Sequence, residues 1–313
     1  MARERERPQG NRESGARAAG RIRIVEVGPR DGLQNEKAVV PTELKVAFVD
    51  ALSETGVDEI EVSSFVSPEW VPQLADAEAV FRAIRRSPQV VYSALVPNAK
   101  GLERALAAEA QKVAVFTAAS ETFNRKNVNA SIAESLERFG PVVAGAGGAG
   151  VVVRAYVSTA FHCPYEGPVA PEKVRDVMLR LLELGVDEIS IADTIGKASP
   201  PEVRGLLELL LHDVGPALLA LHFHDTYGMA IANALTAWEE FGVATFDAAA
   251  GGLGGCPFAK GATGNVATED LVYALRASGA EVGVDPSAVA EAARALSGAL
   301  GRPLASRIGA LPV

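Results

Sequence analysis

The 313-residue sequence predicts an α/β protein, a TIM (β/α)8 barrel with a disordered N-terminal tail and a short helical C-terminal extension. Short runs of β-branched residues alternate with amphipathic segments rich in Ala, Leu and Glu. Eight such units follow one another in about 250 residues, the usual size of this barrel. A motif also recurs, because 56–62 (GVDEIEV) resembles 185–191 (GVDEISI). Strands alternating with helices favour a parallel sheet, since each parallel return needs a crossover.

The β-branched runs predict eight strands, in chain order 22–28, 57–64, 89–96, 111–117, 150–158, 186–192, 217–224 and 243–249. The amphipathic segments predict helices, among them 42–55, 101–109, 131–147, 171–184 and 228–241. Pro171 and Pro200 are typical of a first helical turn. A doubly wound open sheet is the alternative. No GxGxxG follows the first strand and no P-loop is present, so the barrel is favoured.

The two ends of the chain differ from the alternating region. Residues 1–20 are rich in arginine and nearly free of apolar side chains, which predicts a disordered tail rather than a targeting signal. Residues 284–313 predict a terminal helix followed by a Pro-containing segment. We therefore expect a single barrel domain over residues 21–313.

Charge and cysteine content exclude several classes of protein. The net charge is −9 with an isoelectric point near 5.1, and an acidic surface repels nucleic acid and anionic lipid. No apolar stretch approaches the roughly 20 residues of a membrane-spanning helix. Cys163 and Cys256 are the only cysteines, which favours a reducing compartment. The sequence thus predicts a cytoplasmic protein with neither nucleic acid nor membrane as a partner.

Polar side chains gather where the predicted strands end, whereas the rest of each strand reads as largely aliphatic. In a TIM barrel the carboxyl ends of the strands and the loops that follow them form the active site. The residues at these positions are Arg30, Asp31, Glu61, Ser63, Asp193, Thr194, His222, His224 and Asp225, with Cys256 and Asn265 on the loop after the last strand.

His222 and His224 have a spacing that directs both imidazoles to the same face of a strand. They could be core histidines with separate partners, but one shared cation would satisfy both. Asp31 would add a carboxylate, although in Pro-Arg-Asp-Gly it could equally be a turn or cap residue. With an amide oxygen such as that of Asn265, the donor set favours Mg²⁺ or Mn²⁺.

The segment 251–261 (GGLGGCPFAKG) is dense in glycine and predicts a loop that can approach a ligand closely. Cys256 in this loop could donate or accept a proton, because an ordinary thiol has a pKa of about 8.5. It could also be a small residue that fills a gap.

Taken together, these motifs resemble those of the 3-hydroxy-3-methylglutaryl-CoA (HMG-CoA) lyases, which belong to the metal-dependent TIM-barrel lyases and synthases. The resemblance extends over roughly residues 22–305, and the SFVSP segment and the Cys-bearing glycine loop point to the lyase branch. The stretches that carry it are 25–36 (VEVGPRDGLQNE), 64–73 (SFVSPEWVPQ), 163–167 (CPYEG), 192–196 (ADTIG), 222–228 (HFHDTYG) and 252–257 (GLGGCP) with Gly264 and Asn265.

The resemblance implies a role for each candidate residue. Asp31, His222, His224 and Asn265 would hold the divalent metal, and Arg30 would stabilise an enolate. Glu61 and Asp193 would support the site, and Cys256 would act as acid or base. Either Asp31 or His222 would be the base that removes the hydroxyl proton.

The reaction implied is a retro-Claisen cleavage of the acyl-CoA thioester (S)-3-hydroxy-3-methylglutaryl-CoA to acetyl-CoA and acetoacetate, as in leucine degradation and ketone-body formation. Family analogy also implies a homodimer. Two alternatives stay open: a lyase for a bulkier 3-hydroxy-3-alkylglutaryl-CoA such as the isohexenyl compound, and a barrel that binds metal or acyl-CoA without turnover.

Overall fold

Eight parallel strands close into one barrel in the computed structural model, which describes residues 20–36, 39–255, 264–301 and 303–311. The order of the strands around the ring follows the chain, and the last strand pairs with the first. The barrel strands are β1 (Arg23–Glu26), β2 (Glu59–Ser64), β3 (Val91–Leu95), β4 (Lys112–Ala118), β5 (Val152–Ser158), β8 (Glu188–Asp193), β9 (Leu219–Phe223) and β10 (Thr245–Ala248). Between β5 and β8, two short strands of two residues each form an antiparallel hairpin, β6 (His162–Cys163) and β7 (Gly167–Pro168). The predicted TIM barrel is confirmed.

Helices lie between the strands and after the last one. Their starts follow local sequence: Ser131 caps one of them, accepting from the Glu134 N–H while the Glu134 carboxylate accepts from the Ser131 N–H. The helices are α1 (Thr42–Ser53), α2 (Ala77–Ala83), α3 (Ala99–Ala107), α4 (Glu121–Val128), α5 (Ile132–Gly148), α6 (Pro171–Glu183), α7 (Pro200–Leu210), α8 (Ala230–Phe241), α9 (Thr268–Ala277) and α10 (Pro286–Leu300).

The outward faces of the strands and the inward faces of the helices form one continuous apolar core. Residues such as Val113 and Val115 on β4 and Ile189 and Ile191 on β8 belong to it and are fully buried. Alternate residues of the same strands point into the barrel. The two faces of each strand therefore bury different side chains.

The inward positions of the strands carry charges, so the expectation of largely aliphatic strands below the rim is wrong. Lys112 Nζ lies 2.8 Å from Glu59 Oε2 and 2.9 Å from Glu188 Oε1. Arg154 on β5 reaches Asp247 on β10 at 2.6 Å. None of these three pairs of strands is adjacent, so the contacts cross the barrel interior. Paired opposite charges make this burial tolerable.

The ends of the chain are described in part. The predicted tail over residues 1–20 lies, apart from Gly20, outside the described residues. The predicted C-terminal extension is confirmed as α10 and the segment after it. Throughout the described ranges, no helix combines the length and apolar composition needed to cross a membrane.

Candidate active site

A cavity of about 540 Å³ opens at the carboxyl ends of the barrel strands. Each strand contributes through its last residues or the turn that follows, as TIM-barrel geometry requires. The residues that line the cavity include Arg30, Asp31, Tyr156, Ala192, Thr194, His222, His224 and Gly255.

The turn after β1 places two of these side chains. Residues Gly28–Gly32 form a single wide helical turn in which the N–H groups of Arg30, Asp31 and Gly32 all donate to the Val27 carbonyl. A Cβ at position 28 would lie 2.6 Å from Glu26 Oε1, so a larger residue there would displace the Glu26 carboxylate. The turn directs both Arg30 and Asp31 at the cavity.

Asp31, His222 and His224 form a cluster in which one ligand atom from each lies within 4.8 Å of the others. The two imidazole rings have centroids 5.2 Å apart, and His224 Nε2 lies 4.0 Å from Asp31 Oδ2. Phe223 between the histidines points the other way and packs against Phe161. The structure thus brings together three of the four residues predicted as metal ligands.

Asn265, the fourth predicted ligand, lies beside the cluster. Its Nδ2 donates to Asp31 Oδ2 at 2.9 Å and to the Leu253 carbonyl at 3.0 Å. Its buried Oδ1 has no hydrogen-bond partner among the described residues, and neither does His224 Nδ1. A buried amide oxygen without a partner is costly. Together with a carboxylate and two imidazoles, this oxygen completes a donor set that fits a divalent cation.

Protonation also favours ligation by these groups. Burial opposes ionisation of Asp31, but the charges of Arg30, His222 and His224 outweigh it and lower the Asp31 pKa to about 2. Burial and the neighbouring His222 lower the pKa of His224 to about 4. At neutral pH the cluster therefore contains a carboxylate and a neutral His224 imidazole, the forms that bind metals.

Arg30 is 6% exposed and held on two sides. Its Nε donates to Glu61 Oε2 at 2.6 Å and its Nη1 donates to Asp31 Oδ1 at 2.7 Å. Burial lowers the pKa of Arg30, but the charges of Glu61 and Asp31 outweigh it, so the pKa stays above its ordinary value. Glu61 also accepts from the Tyr156 hydroxyl at 3.3 Å. The guanidinium is thus a fixed positive charge at the cavity wall.

Asp193 lies at the same rim but not in the cluster. Its carboxylate accepts from the N–H groups of Lys197 at 3.1 Å and Ala198 at 2.8 Å. Burial raises its pKa to about 6 despite these bonds. The side chain orders the turn between β8 and α7, while its neighbours Ala192 and Thr194 line the cavity.

Cys256 lies outside the described residues, which resume at Gly264. The residue before it, Gly255, lines the cavity, and the Gly255 carbonyl accepts from Asn35 Nδ2 at 3.0 Å. The glycine loop therefore leaves the barrel at the edge of the cavity.

Three residues of this region were not identified from the sequence: Tyr156, Arg154 and Asp247. Tyr156 lies between Arg30 and Arg154, whose guanidinium carbons are 5.6 and 4.9 Å from the ring centroid. Asp247 Oδ2 lies 3.1 Å from His222 Nδ1. The sequence does carry a signal for Arg154 and Asp247, because each is a charged residue inside a predicted strand, 150–158 and 243–249.

Comparison with known proteins identifies relatives over most of the chain. A model of the HMGL-like family matches residues 21–296. The mitochondrial hydroxymethylglutaryl-CoA lyase of Rattus norvegicus is 51% identical over 92% of this chain and 88% of its own length. The cytoplasmic 3-hydroxy-3-methylglutaryl-CoA lyase of Danio rerio is 53% identical over 92% of this chain and 85% of its own length. The crystal structure of hydroxymethylglutaryl-CoA lyase from Pseudomonas aeruginosa, 49% identical, matches with a TM-score of 0.90, covering 92% of this chain and 96% of that chain.

Proposed function

This chain belongs to the HMGL-like family, and we propose that it is a hydroxymethylglutaryl-CoA lyase that cleaves (S)-3-hydroxy-3-methylglutaryl-CoA to acetyl-CoA and acetoacetate. One observation carries the proposal: the Asp31–His222–His224 cluster lies beside the buried Arg30 at an open cavity. Such a site can bind an oxygen-rich substrate and stabilise an enolate. Lyases of this activity share about half of its residues over 92% of the chain.

Asp31, His222, His224 and Asn265 would hold the divalent cation of this lyase. The support is the unpartnered Asn265 Oδ1 and the charge states of Asp31 and His224. When bound, the cation would polarise the hydroxyl and carboxylate oxygens of the substrate. The mixture of oxygen and imidazole donors favours Mg²⁺ or Mn²⁺ over a soft metal.

Arg30 stabilises the thioester enolate that forms when the carbon–carbon bond breaks. Its charge is permanent and its orientation is fixed by Glu61 and Asp31, so little reorganisation is needed as negative charge develops. Asp31 or His222 removes the proton of the substrate hydroxyl. Glu61 acts by holding Arg30, and Asp193 by ordering the turn that carries Thr194.

Cys256 protonates the enolate carbon to give the methyl group of acetyl-CoA. The support is its place in the chain, directly after Gly255 at the cavity edge. A thiol has an ordinary pKa of about 8.5, within reach of neutral pH. The acyl-CoA thioester enters through the open side of the cavity.

A homodimer and a cytoplasmic location complete the proposal. Relatives of this activity include both cytoplasmic and mitochondrial proteins, so the compartment stays a prediction. A single domain over residues 21–313 and the absence of nucleic-acid and membrane partners are likewise predictions.

The decisive experiment measures acetoacetate release from HMG-CoA by chelator-treated protein with and without added Mg²⁺ or Mn²⁺. We expect turnover only with metal, and a loss of at least about 100-fold in kcat/KM for His224→Ala and for Cys256→Ser. His212→Ala, which changes an exposed histidine in the turn after α7, is the matched control and should retain wild-type rates.

Two outcomes would contradict the proposal. No release with either metal would favour a barrel that binds without turnover. Faster cleavage of the isohexenyl thioester than of HMG-CoA would reassign the substrate. Near-wild-type turnover by Cys256→Ser would remove only the acid role of that residue.

A further inference from the structure

Among the residues that the structure describes, Asp247 is the one carboxylate within hydrogen-bond distance of a cluster histidine. It lies on β10 and is 2% exposed. Its Oδ2 is 3.1 Å from His222 Nδ1, and its register partner on the neighbouring strand is His222 itself. This contact leaves Nε2 as the ring nitrogen of His222 that can face a cation.

The Asp247 carboxylate is itself fixed. Arg154 Nη2 donates to Oδ1 at 2.6 Å, and Ser190 Oγ donates to Oδ2 at 3.0 Å. Arg154 reaches Asp247 across the barrel from β5, and Ser190 reaches it from β8. With donors from two other strands, the carboxylate stays charged and has little freedom to rotate. It accepts a hydrogen bond and cannot donate one.

The two cluster histidines differ in this respect. His224 Nδ1 has no hydrogen-bond partner among the described residues. His222 has a charged acceptor at the same ring atom. An acceptor at Nδ1 requires that this nitrogen carry the proton, which leaves the lone pair on Nε2. His224 lacks such a constraint.

We infer that Asp247, held by Arg154 and Ser190, is a positioning residue that fixes the Nδ1–H tautomer of His222 and presents Nε2 to the divalent cation. The inference rests on the proposed function, because it assumes the metal. With a proton on Nδ1 and Nε2 facing the cation, His222 has no lone pair for the hydroxyl proton, which leaves Asp31 of the two candidate bases. Carboxylates that orient a metal-bound histidine in this way typically contribute about 10–100-fold to metal affinity. The buried Arg154–Asp247 pair therefore acts on the site as well as on the barrel.

The first test needs no substitution of Asp247. Long-range ¹H–¹⁵N NMR of the metal-free wild-type protein at pH 8 reports the tautomer of each histidine, and the chain has only four. A His222→Gln spectrum assigns the His222 signals. We expect the Nδ1–H form for His222. An Nε2–H form would overturn the inference, whatever the variants do.

The second test measures Mn²⁺ affinity directly, from the electron paramagnetic resonance signal of free Mn²⁺ above chelator-treated protein. We expect Asp247→Asn to weaken binding about 10–100-fold. The matched control is Asp58→Asn, the same change at a partly buried carboxylate that accepts from the Ile24 N–H and contacts no cluster histidine. Its Mn²⁺ affinity should stay within about twofold of wild type.

Folding is monitored by circular dichroism, because Asp247→Asn leaves Arg154 without its closest partner. Arg154→Met/Asp247→Asn removes both buried charges together and so avoids an unpaired one. A folded variant of either kind that binds Mn²⁺ like the wild type would overturn the inference. Wild-type protein that binds no Mn²⁺ would instead refute the metal site of the proposed function.

Discussion

Arg30 and Asp31 are adjacent in sequence and oppositely charged, yet both contribute to the same cavity wall. Each changes the ionisation of the other: Arg30 lowers the pKa of Asp31, and Asp31 raises that of Arg30. Burial disfavours the charged form of both side chains. The pair therefore keeps a carboxylate, the proposed metal ligand, and a cation, the proposed partner of the enolate, at a place where each charge depends on the other.

Glu26, the last residue of β1, is a buried acid whose role is structural. Its Oε1 accepts from the N–H groups of Gly28 and Ala250, and its Oε2 accepts from Thr268 Oγ1. Burial raises its pKa from 4.5 to about 7, against the effect of these hydrogen bonds. Because the folded pKa is raised, the stability that the neutral acid provides is complete below pH 4.5 and is lost as the pH rises through about 7.

Glu26→Gln should remove this pH dependence. An amide can accept at Oε1 and donate to Thr268, and it stays neutral at every pH. The wild type should lose stability between pH 5 and pH 8 and the variant should not. We therefore expect the difference in unfolding free energy between them to shift by about 3 kcal/mol in favour of the variant over this range. Urea denaturation at both pH values measures the difference. Glu43→Gln, at an exposed position of α1, is the control and should show none. Parallel pH profiles for Glu26→Gln and wild type would contradict the prediction.

At the scale of elements, the loop after β10 joins the site to the end of the chain. Gly251 accepts from the Ala305 N–H, and Leu304 packs where a Gly251 side chain would be. On the other side, Gly264 fits between the carbonyls of Gly252 and Leu253 and leads into Asn265. The backbone that carries a predicted metal ligand is thus held by glycines and by the C-terminal segment.

Gly264→Ala should disturb both stability and metal binding. Its Cβ would lie 2.7 Å from the Leu253 carbonyl oxygen and still closer to that of Gly252, and backbone atoms cannot rotate away. We expect a loss of about 1–3 kcal/mol in unfolding free energy and at least about tenfold weaker Mn²⁺ binding, through displacement of Asn265. Gly298→Ala, in α10 with open space around it, is the matched control. That change should be neutral or slightly stabilising in thermal unfolding, since alanine favours a helix. Unchanged Mn²⁺ binding by Gly264→Ala would show that this glycine does not position Asn265.

At the scale of the whole molecule, local patterns predict the barrel because each β-α unit buries its own apolar face. The eight predicted strands all correspond to observed ones, such as 111–117 and β4 (Lys112–Ala118). The rim residues follow, because parallel strands place their carboxyl ends at one edge. The meeting of His222 and His224 there could therefore be predicted from strand spacing, whereas the place of Asp31 beside them depended on the family resemblance.

The barrel interior could not be predicted in the same way. Arg154 and Asp247 are 93 residues apart and on strands that are not neighbours. Their contact depends on how far the strands are staggered when the barrel closes, a property of the whole ring. Strand periodicity places each charge on the inner face, but only closure determines its partner. For this reason the contact between Asp247 and His222 could not be predicted from the sequence.

The interior charges at the opposite end of the barrel from the site give the last prediction. Lys112, at the start of β4, is 4% exposed and pairs with Glu59 and Glu188. Lys112→Met would leave these buried carboxylates to Arg23, at 3.9 and 3.6 Å, and to Arg154. We expect a loss of about 3–5 kcal/mol in unfolding free energy, because one partner of a buried pair is removed. Arg175→Met, which removes the exposed pair with Asp213, should leave the urea midpoint nearly unchanged.

Urea denaturation measures both variants, and kcat/KM of the folded protein separates stability from catalysis. Lys112 lies at the first residue of its strand, whereas the cavity lies at the carboxyl ends. Turnover per folded molecule should therefore match the wild type even where the urea midpoint falls. A large loss of kcat/KM with an unchanged midpoint would mean instead that charge from this end reaches the site through Glu188, Arg154 and Asp247. The charges at the two ends of the barrel interior would then be coupled, and those around Lys112 would affect catalysis as well as stability.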